Sequence, residues 1–339
     1  GAEMRRAAWV AVLVVTAAAC GRGPVEYAAT RKAMGTAVFA RAIAADEETA
    51  RRAVEAAFDA VARAERVASF YDPASELAAL NRSGGEGPLE VSEELYGLVA
   101  LARETAAATD GYFDPTVAPL VEAYGIKGGA PRWPDDEELA AVMERVGYRG
   151  IVLERENRTA AFARPGMVLD LSGIAKGWAV DRAAAAMAAA GAEAGIVEAG
   201  GEVVCFGGGP KRNEAWKVGV QDPDGDGLYA TFELGAGACA TSGGYEQRFE
   251  AAGRKFSHLF DPRTGRPAEG AAAVTVVAGT CAEADAWATA LAVMPAGEAE
   301  RLVKRGGGVA CLILRREGEA LEPVIWGEFP KIDLIAGSE

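Results

Sequence analysis

Four short segments hold the residue types and spacings that chemistry needs. In the first, Leu169-Asp170-Leu171-Ser172-Gly173-Ile174-Ala175-Lys176-Gly177, an expected strand ends in a carboxylate, turns through a glycine and opens a helix with an early lysine. Free amides and partial positive charge at a helix N-terminus favour a phosphate, and Lys176 would add a full charge. The glycine spacing is not that of a Walker A loop, and an ordinary strand-to-helix turn with a surface lysine would read the same. In the second, Ala284 to Thr289, Asp285 and Thr289 stand at i and i+4 on one helical face. Both offer oxygen, so with phosphate oxygens and a backbone carbonyl they would complete an octahedral Mg²⁺ shell; a hydrogen-bonded polar pair is the alternative. The third, Phe256 to Pro267, sets the sole histidine, His258, just before the turn Asp261-Pro262-Arg263-Thr264-Gly265. His258 either faces phosphates or serves the fold. The fourth, Gly111 to Leu120, holds Tyr112, Phe113, Asp114 and Pro115; its rings either stack on a planar ligand or pack in the core.

The elements that must position these groups follow from periodicity. Thr36 to Ile43 reads as a strand. Glu47 to Ala68 reads as a helix, because Val54, Ala57, Phe58, Val61, Ala64 and Val67 recur at three- and four-residue steps. Asn81 to Pro88, rich in glycine, reads as a loop, and Ser92 to Ala108 as a helix capped by Ser92. Lys127 to Asp136 reads as a Gly/Pro-rich connection. Short strands are expected at Ile151–Glu154, Ala160–Ala163 and Met167–Leu171, and an alanine-rich helix at Lys176–Ala190. Later strands are expected at Gly195–Phe206, Trp216–Val220, Leu228–Leu234, Ala272–Val277, Val309–Leu314 and Pro323–Trp326, with a helix at Ala282–Met294. Helices and strands mix without strict βαβ alternation, which points to an α+β fold.

Composition narrows the function. Of 339 residues, half are apolar and a quarter charged, enough for a sizeable core. The net charge of −14 argues against nucleic acid as a partner, so any phosphate must be held locally. One histidine and five cysteines without a CxxC pair leave little scope for zinc. Cys205, Cys239, Cys281 and Cys311 lie in apolar contexts and read as small core residues, with a disulfide among them left open. Met4-Arg5-Arg6 followed by the apolar run Ala7 to Ala19 reads as a signal segment rather than a membrane span. The run ends Ala17-Ala18-Ala19-Cys20-Gly21, which suits a bacterial lipoprotein acylated at Cys20; Ala17 stands where Leu is usual, and simple secretion is the alternative. Residues 1–22 are therefore expected to be signal peptide and anchor, and 23–339 the functional domain.

Taken together and in this order, the segments resemble the FAD:protein FMN transferase family, the ApbE-like flavin transferases. The resemblance also takes in Lys32-Ala33-Met34-Gly35-Thr36, Phe70-Tyr71-Asp72-Pro73 with Ser75-Glu76-Leu77 and Asn81, Glu198-Ala199-Gly200-Gly201-Glu202, and Ala240-Thr241-Ser242-Gly243. It implies a single α+β unit of two lobes, with mixed or antiparallel sheets, flanking helices and FAD in the interlobe cleft. Met34, Tyr71, Phe113, Asp114, Pro115, Asp170, Lys176 and His258 would lie against FAD. The Gly173 carbonyl, Asp285 and Thr289 would hold Mg²⁺, and Lys176, His258 and Asp285 would carry catalysis. Three positions depart from the family pattern: Ser172 stands where glycine is common, Gly244 where a polar residue is frequent, and Ala118 replaces a frequent glycine.

The implied reaction moves FMN from FAD to a Ser or Thr hydroxyl of a target flavoprotein, a redox-pump subunit for example, and releases AMP. A lipoprotein signal is common in the family and would place the chain, anchored through Cys20, on the periplasmic face of the inner membrane. Two rivals use the same residues: an FAD pyrophosphatase yielding FMN and AMP, and a non-catalytic flavin-binding lipoprotein. A solute-binding lipoprotein fits the motif order less well.

Overall fold

The computed structural model describes residues 23–84, 86–126, 130–209, 214–225, 227–243, 248–257, 259–268, 270–306, 308–318 and 320–335. Cys20, Gly244 and His258 lie outside the described residues. In chain order the strands are β1 (Val25–Ala33), β2 (Thr36–Ala44), β3 (Leu89–Glu90), β4 (Ile151–Glu154), β5 (Thr159–Phe162), β6 (Ala194–Ala199), β7 (Glu202–Phe206), β8 (Trp216–Gln221), β9 (Leu228–Leu234), β10 (Gly237–Ser242), β11 (Arg248–Ala251), β12 (Arg254–Ser257), β13 (Phe260–Asp261), β14 (Arg266–Pro267), β15 (Ala273–Ala278), β16 (Ala310–Glu317), β17 (Ala320–Trp326) and β18 (Ile332–Leu334). The helices are α1 (Glu47–Ala68), α2 (Glu76–Ser83), α3 (Glu93–Ala108), α4 (Ala118–Ala123), α5 (Asp136–Met143), α6 (Ser172–Ala189), α7 (Cys281–Val293) and α8 (Ala296–Gly306).

The central element is an antiparallel eight-stranded sheet in the order β1-β2-β6-β7-β10-β15-β16-β17. Side chains alternate across it. Val38, Ala40, Val197, Ala240, Val274, Val276 and Ile313 face α1, α6 and α7. On the other face Val203, Cys205, Cys239, Ala273 and Leu312 meet the three-stranded sheet β18-β9-β8 through Trp216, Val218, Val220 and Phe232. A smaller second core joins α4 and α5 to the hairpins β11–β12 and β13–β14, through Leu120, Tyr124, Leu139, Val142, Phe256 and Phe260. The Tyr124 ring lies 4.7 Å from that of Phe260. The expected α+β architecture, antiparallel sheets with flanking helices, is the one observed.

Local chemistry explains the helices. Asp46 caps α1 by accepting from the Thr49 amide at 2.8 Å, and the apolar stripe from Val54 to Val67 is buried as its spacing requires. The buried helix α7 has Ala284, Ala286, Ala288 and Ala290 at zero exposure, and these small side chains let α6 and the sheet approach it closely.

Several expectations are corrected. Met167–Leu171 forms no strand and pairs with none among the described residues. The Asn81 side chain instead accepts from the Leu169 amide and donates to the Leu169 carbonyl, both at 2.8 Å, replacing the neighbour a strand would have. Asn81 itself belongs to α2, which ends at Gly84 in the left-handed region (φ 55°), so the glycine cluster marks a helix stop rather than a loop from Asn81 onward. Gly195–Phe206 is a hairpin, β6 and β7, turning at Gly200 and Gly201 with φ of 71° and 106°. The helix expected from Lys176 begins at Ser172, so the lysine sits one turn inside it. Strands β1 and β10 and helices α4, α5 and α8 were not foreseen. The four described cysteines are free and buried, which removes a disulfide among them.

Candidate functional site

A cavity of about 640 Å³ opens between the two cores. Its walls bring together most of the predicted site: Met34, Tyr71, Phe113, Asp114, Asp170, Gly173, Lys176, Asp285 and Thr289 all line it. Five separate stretches of chain thus meet around one space, as the sequence-derived grouping required.

The floor is the contact between α6 and α7. Gly177 on α6 passes so close to α7 that a Cβ there would lie 2.3 Å from the Cys281 carbonyl oxygen. That approach lets the Gly177 amide donate to Asp285 Oδ2 at 3.1 Å. One turn further along α6, Asp181 caps α7, accepting from the amides of Cys281 and Ala282 at 2.8 and 2.9 Å. At the other end Gly173 faces Thr289, whose Oγ1 would lie 3.1 Å from a Cβ at Gly173. Gly173 has φ −87° and ψ 16°, and because ψ directs the carbonyl, that group is turned off the helical ladder. Gly173, Asp285 and Thr289 are therefore neighbours, which sequence spacing alone did not guarantee.

Above them, Lys176 Nζ donates to Glu202 Oε1 at 2.7 Å. Glu202 is the residue that sequence reasoning missed: its segment was recognised, but no role was given to it. It opens β7 directly after the Gly200-Gly201 turn, is 1% exposed, and its Oε2 has no hydrogen-bond partner among the described residues. Burial pushes its carboxyl well above the usual range, and the nearby Asp285 carboxylate adds to this, against the opposing pull of Lys176. Asp285 is itself 3% exposed. The Glu202 carboxyl, paired with Lys176, thus lies near the Asp285 carboxyl in a desolvated pocket, where proximity of two acids favours an added positive charge. A carboxylate opening an otherwise apolar strand directly after a Gly-Gly turn was the available signal.

The described residues contain no cluster of three His, Cys, Asp or Glu side chains able to enclose an ion. One carboxylate, one hydroxyl and one carbonyl do not make an all-protein cage. They do suit Mg²⁺, which keeps waters and takes its remaining oxygens from substrate phosphates, and the excess carboxylate charge favours a cation there.

The upper wall is aromatic. Met34 takes φ 50° in the β1–β2 turn before Gly35 (φ 76°), and its amide donates to Glu65 Oε1 at 2.9 Å. A non-glycine residue there costs about 1–2 kcal/mol, offset by that buried contact. Tyr71 is 74% exposed and lies edge-on to Phe70 with ring centroids 5.4 Å apart. Asp114 lines the cavity and also holds its own loop. It is 6% exposed, and its oxygens accept from the Thr116 amide and hydroxyl and the Tyr148 amide at 2.6 to 2.8 Å. Burial raises its pKa although these bonds oppose the rise. Asp114 holds the loop that presents Phe113. Pro115 does not line the cavity, and its carbonyl accepts from the Asp170 amide at 2.7 Å, tying two walls together. Asp170 Oδ1 accepts from the Ser172 amide at 2.9 Å. Ser172, the residue that departs from the family's glycine, is exposed at the cavity rim. Leu259, Phe260 and Pro262, from the histidine-turn segment, also line the wall.

The comparisons agree on one family. A model of the ApbE family matches residues 34–313. A curated FAD:protein FMN transferase from Klebsiella pneumoniae is 31% identical over 301 residues, covering 86% of this chain and 85% of the relative. The crystal structure of an ApbE protein from Thermotoga maritima superposes with a TM-score of 0.79 at 35% identity, covering 88% of this chain and 97% of that one. The flavin transferase ApbE from Vibrio cholerae gives 0.78 at 29% identity, covering 89% and 97%.

Proposed function

Starting from the fact that the chain belongs to the ApbE family and is an FAD:protein FMN transferase, we propose that FAD lies in the cavity between the two cores and that FMN passes from it, with Mg²⁺, to a Ser or Thr hydroxyl of a target flavoprotein. One observation supports this reading above the others: at the cavity floor the buried carboxyls of Glu202 and Asp285 stand beside the partly exposed Lys176, a set of charges that suits a polyphosphate and its cation.

The hydroxyl oxygen bonds to the FMN-side phosphorus, the bond from that phosphorus to the bridging oxygen breaks, and AMP leaves with the oxygen. Such transfer depends on positioning and charge neutralisation more than on covalent help from the protein. Bound Mg²⁺ supplies charge neutralisation at the pyrophosphate. Gly173, Asp285 and Thr289 would hold it. Lys176, kept in place by Glu202, meets charge that grows on the pyrophosphate as the bond breaks. Tyr71 and Phe113 stack the flavin or adenine ring, and Met34 and Asp170 border it. His258 contacts phosphate and is the proposed acceptor of the hydroxyl proton, since its ordinary pKa near 6.5 suits that exchange.

We further propose that residues 1–22 are a signal peptide and anchor, that Cys20 is acylated, and that 23–339 face the periplasm from the inner membrane. The apolar run ending at Cys20 supports this; acyl chains contribute about 0.8 kcal/mol per buried methylene. Targets facing the same compartment, redox-pump subunits among them, would be the acceptors.

The test incubates the mature chain with FAD, Mg²⁺ and a candidate acceptor domain, then weighs the acceptor. A gain equal to FMN supports the proposal. Release of FMN and AMP with no mass gain would make the protein a pyrophosphatase, and unchanged FAD would make it a binding protein.

A further inference from the structure

A second cavity, of about 510 Å³, lies on the opposite face of the central sheet from the α6–α7 floor. The mechanism uses none of its lining residues, and only Thr241 lines both cavities. One wall is the sheet face carrying Phe39, Ile196, Glu198 and Thr241; the other is β8 with Lys217, Gly219 and Gln221. Strand β8 closes the order β18-β9-β8 and pairs with β9 alone among the described residues. Every second residue of an edge strand points its amide and carbonyl away from its one neighbour, a ready template for another strand. Six residues, Trp216–Gln221, make that edge, about 20 Å at 3.3 Å per residue. The groove is partly apolar, since Phe39 and Ile196 are only half-buried there and Leu228 is 45% exposed.

Its position gives it meaning. The groove ends at Gly200 and Gly201, and the next residue, Glu202, lines the flavin cavity. Without side chains, the β6–β7 turn is a thin partition, and Thr241, whose amide donates to the Gly201 carbonyl at 3.2 Å, closes it from β10. A chain lying extended in the groove would arrive at this partition end-on, where a short side chain can reach the reacting phosphorus.

We propose that this groove binds the acceptor protein: an extended segment of the target pairs with the free edge of β8 and delivers its Ser or Thr over the Gly200-Gly201 turn. This rests on the transferase reading above and adds to it where the protein substrate docks. Main-chain pairing supplies affinity with little sequence demand, and the half-buried Phe39 and Ile196 accept alternate side chains of the segment. The unpaired edge suits a strand; a helix, whose backbone bonds are used within itself, cannot pair with β8.

The probe is an acceptor domain that wild-type protein is seen to load with FMN, with a short synthetic peptide spanning its modified residue. Ile196→Trp fills the groove without touching the flavin cavity, and Gln221→Trp blocks it from the exposed end of β8, where folding is not at stake. Both should raise the acceptor KM about ten-fold or more, equivalent to about 1.4 kcal/mol, with FAD affinity and hydrolysis of FAD by water unchanged. The peptide should also slow hydrogen exchange at β8 amides. Wild-type acceptor KM in both variants, or β8 amides that exchange equally fast with peptide bound, overturns the proposal and leaves the transferase reading standing. Wild-type protein that loads no acceptor overturns both.

Discussion

Gly177→Ala tests whether the α6–α7 contact sets the geometry of the floor. The added Cβ would stand 2.3 Å from the Cys281 carbonyl oxygen, 2.6 Å from its carbon and 2.9 Å from the Ala282 nitrogen. All three are backbone atoms, so no side-chain rotation relieves the clash. Ordinary contact begins near 3.4 Å, so the helices must part by about 1 Å. Overpacking of this kind costs roughly 1–3 kcal/mol. Part of the loss falls on function, because the displaced helix carries Asp285 and Thr289 away from Gly173 and Lys176, and a 1 Å misplacement of reacting groups costs about 100-fold in rate. The assay pairs a thermal melt with FMN transfer followed by acceptor mass. Gly97→Ala serves as control: Gly97 sits on an exposed face of α3 with nothing within 4 Å of its Cβ position, so alanine should stabilise the protein by about 0.5–1 kcal/mol. A Gly177→Ala protein that melts and transfers like wild type would refute the argument that this one glycine holds the floor together.

Lys176→Met should slow transfer more than it weakens FAD binding, a loss of about 2–4 kcal/mol in the transition state; equal rates in a stopped transfer assay would make the lysine a bystander. Asp285→Ala should cut turnover by about 10³-fold while the chain stays folded by circular dichroism, and excess chelator should silence the wild type, with Mg²⁺ but not Zn²⁺ restoring it. Asp181→Asn should cost about 1 kcal/mol at neutral pH by weakening the cap of α7. Burial raises the Asp181 carboxyl above its ordinary value, so the folded state binds a proton the unfolded state has released. Stability then falls as pH rises from about 3.9 to the folded pKa, and the variant should show a shallower fall in urea melts across that window. Cys20→Ser should release the protein from membranes into the soluble fraction, and a wild type already soluble there would remove the anchor.

Much of the site was readable because its parts are local. Asp285 and Thr289 share a face by helical period alone, and Asp170, Gly173 and Lys176 lie within seven residues of chain; the order of the segments then identified the family. The α1 stripe and the hairpin glycines were likewise written in periodicity and backbone freedom, both short-range effects. Position across the fold was not local and was not readable. Glu202 looks like any strand residue until β7 carries it under Lys176, and its raised pKa comes from burial and from Asp285, a neighbour on another element. That Asp114 ties Thr116 and Tyr148 to its loop, besides lining the cavity, is likewise invisible in the sequence. Asn81 stands in for a strand that Leu169 lacks, and Gly177 matters only because α7 passes over it. The sequence by itself determined the family and the type of transfer, because residue type, short spacing and the order of the segments encode those. Which groups are desolvated, which are already satisfied and which edge is left open was decided by tertiary packing, since charge and hydrogen-bonding energies depend on neighbours that are distant in the chain.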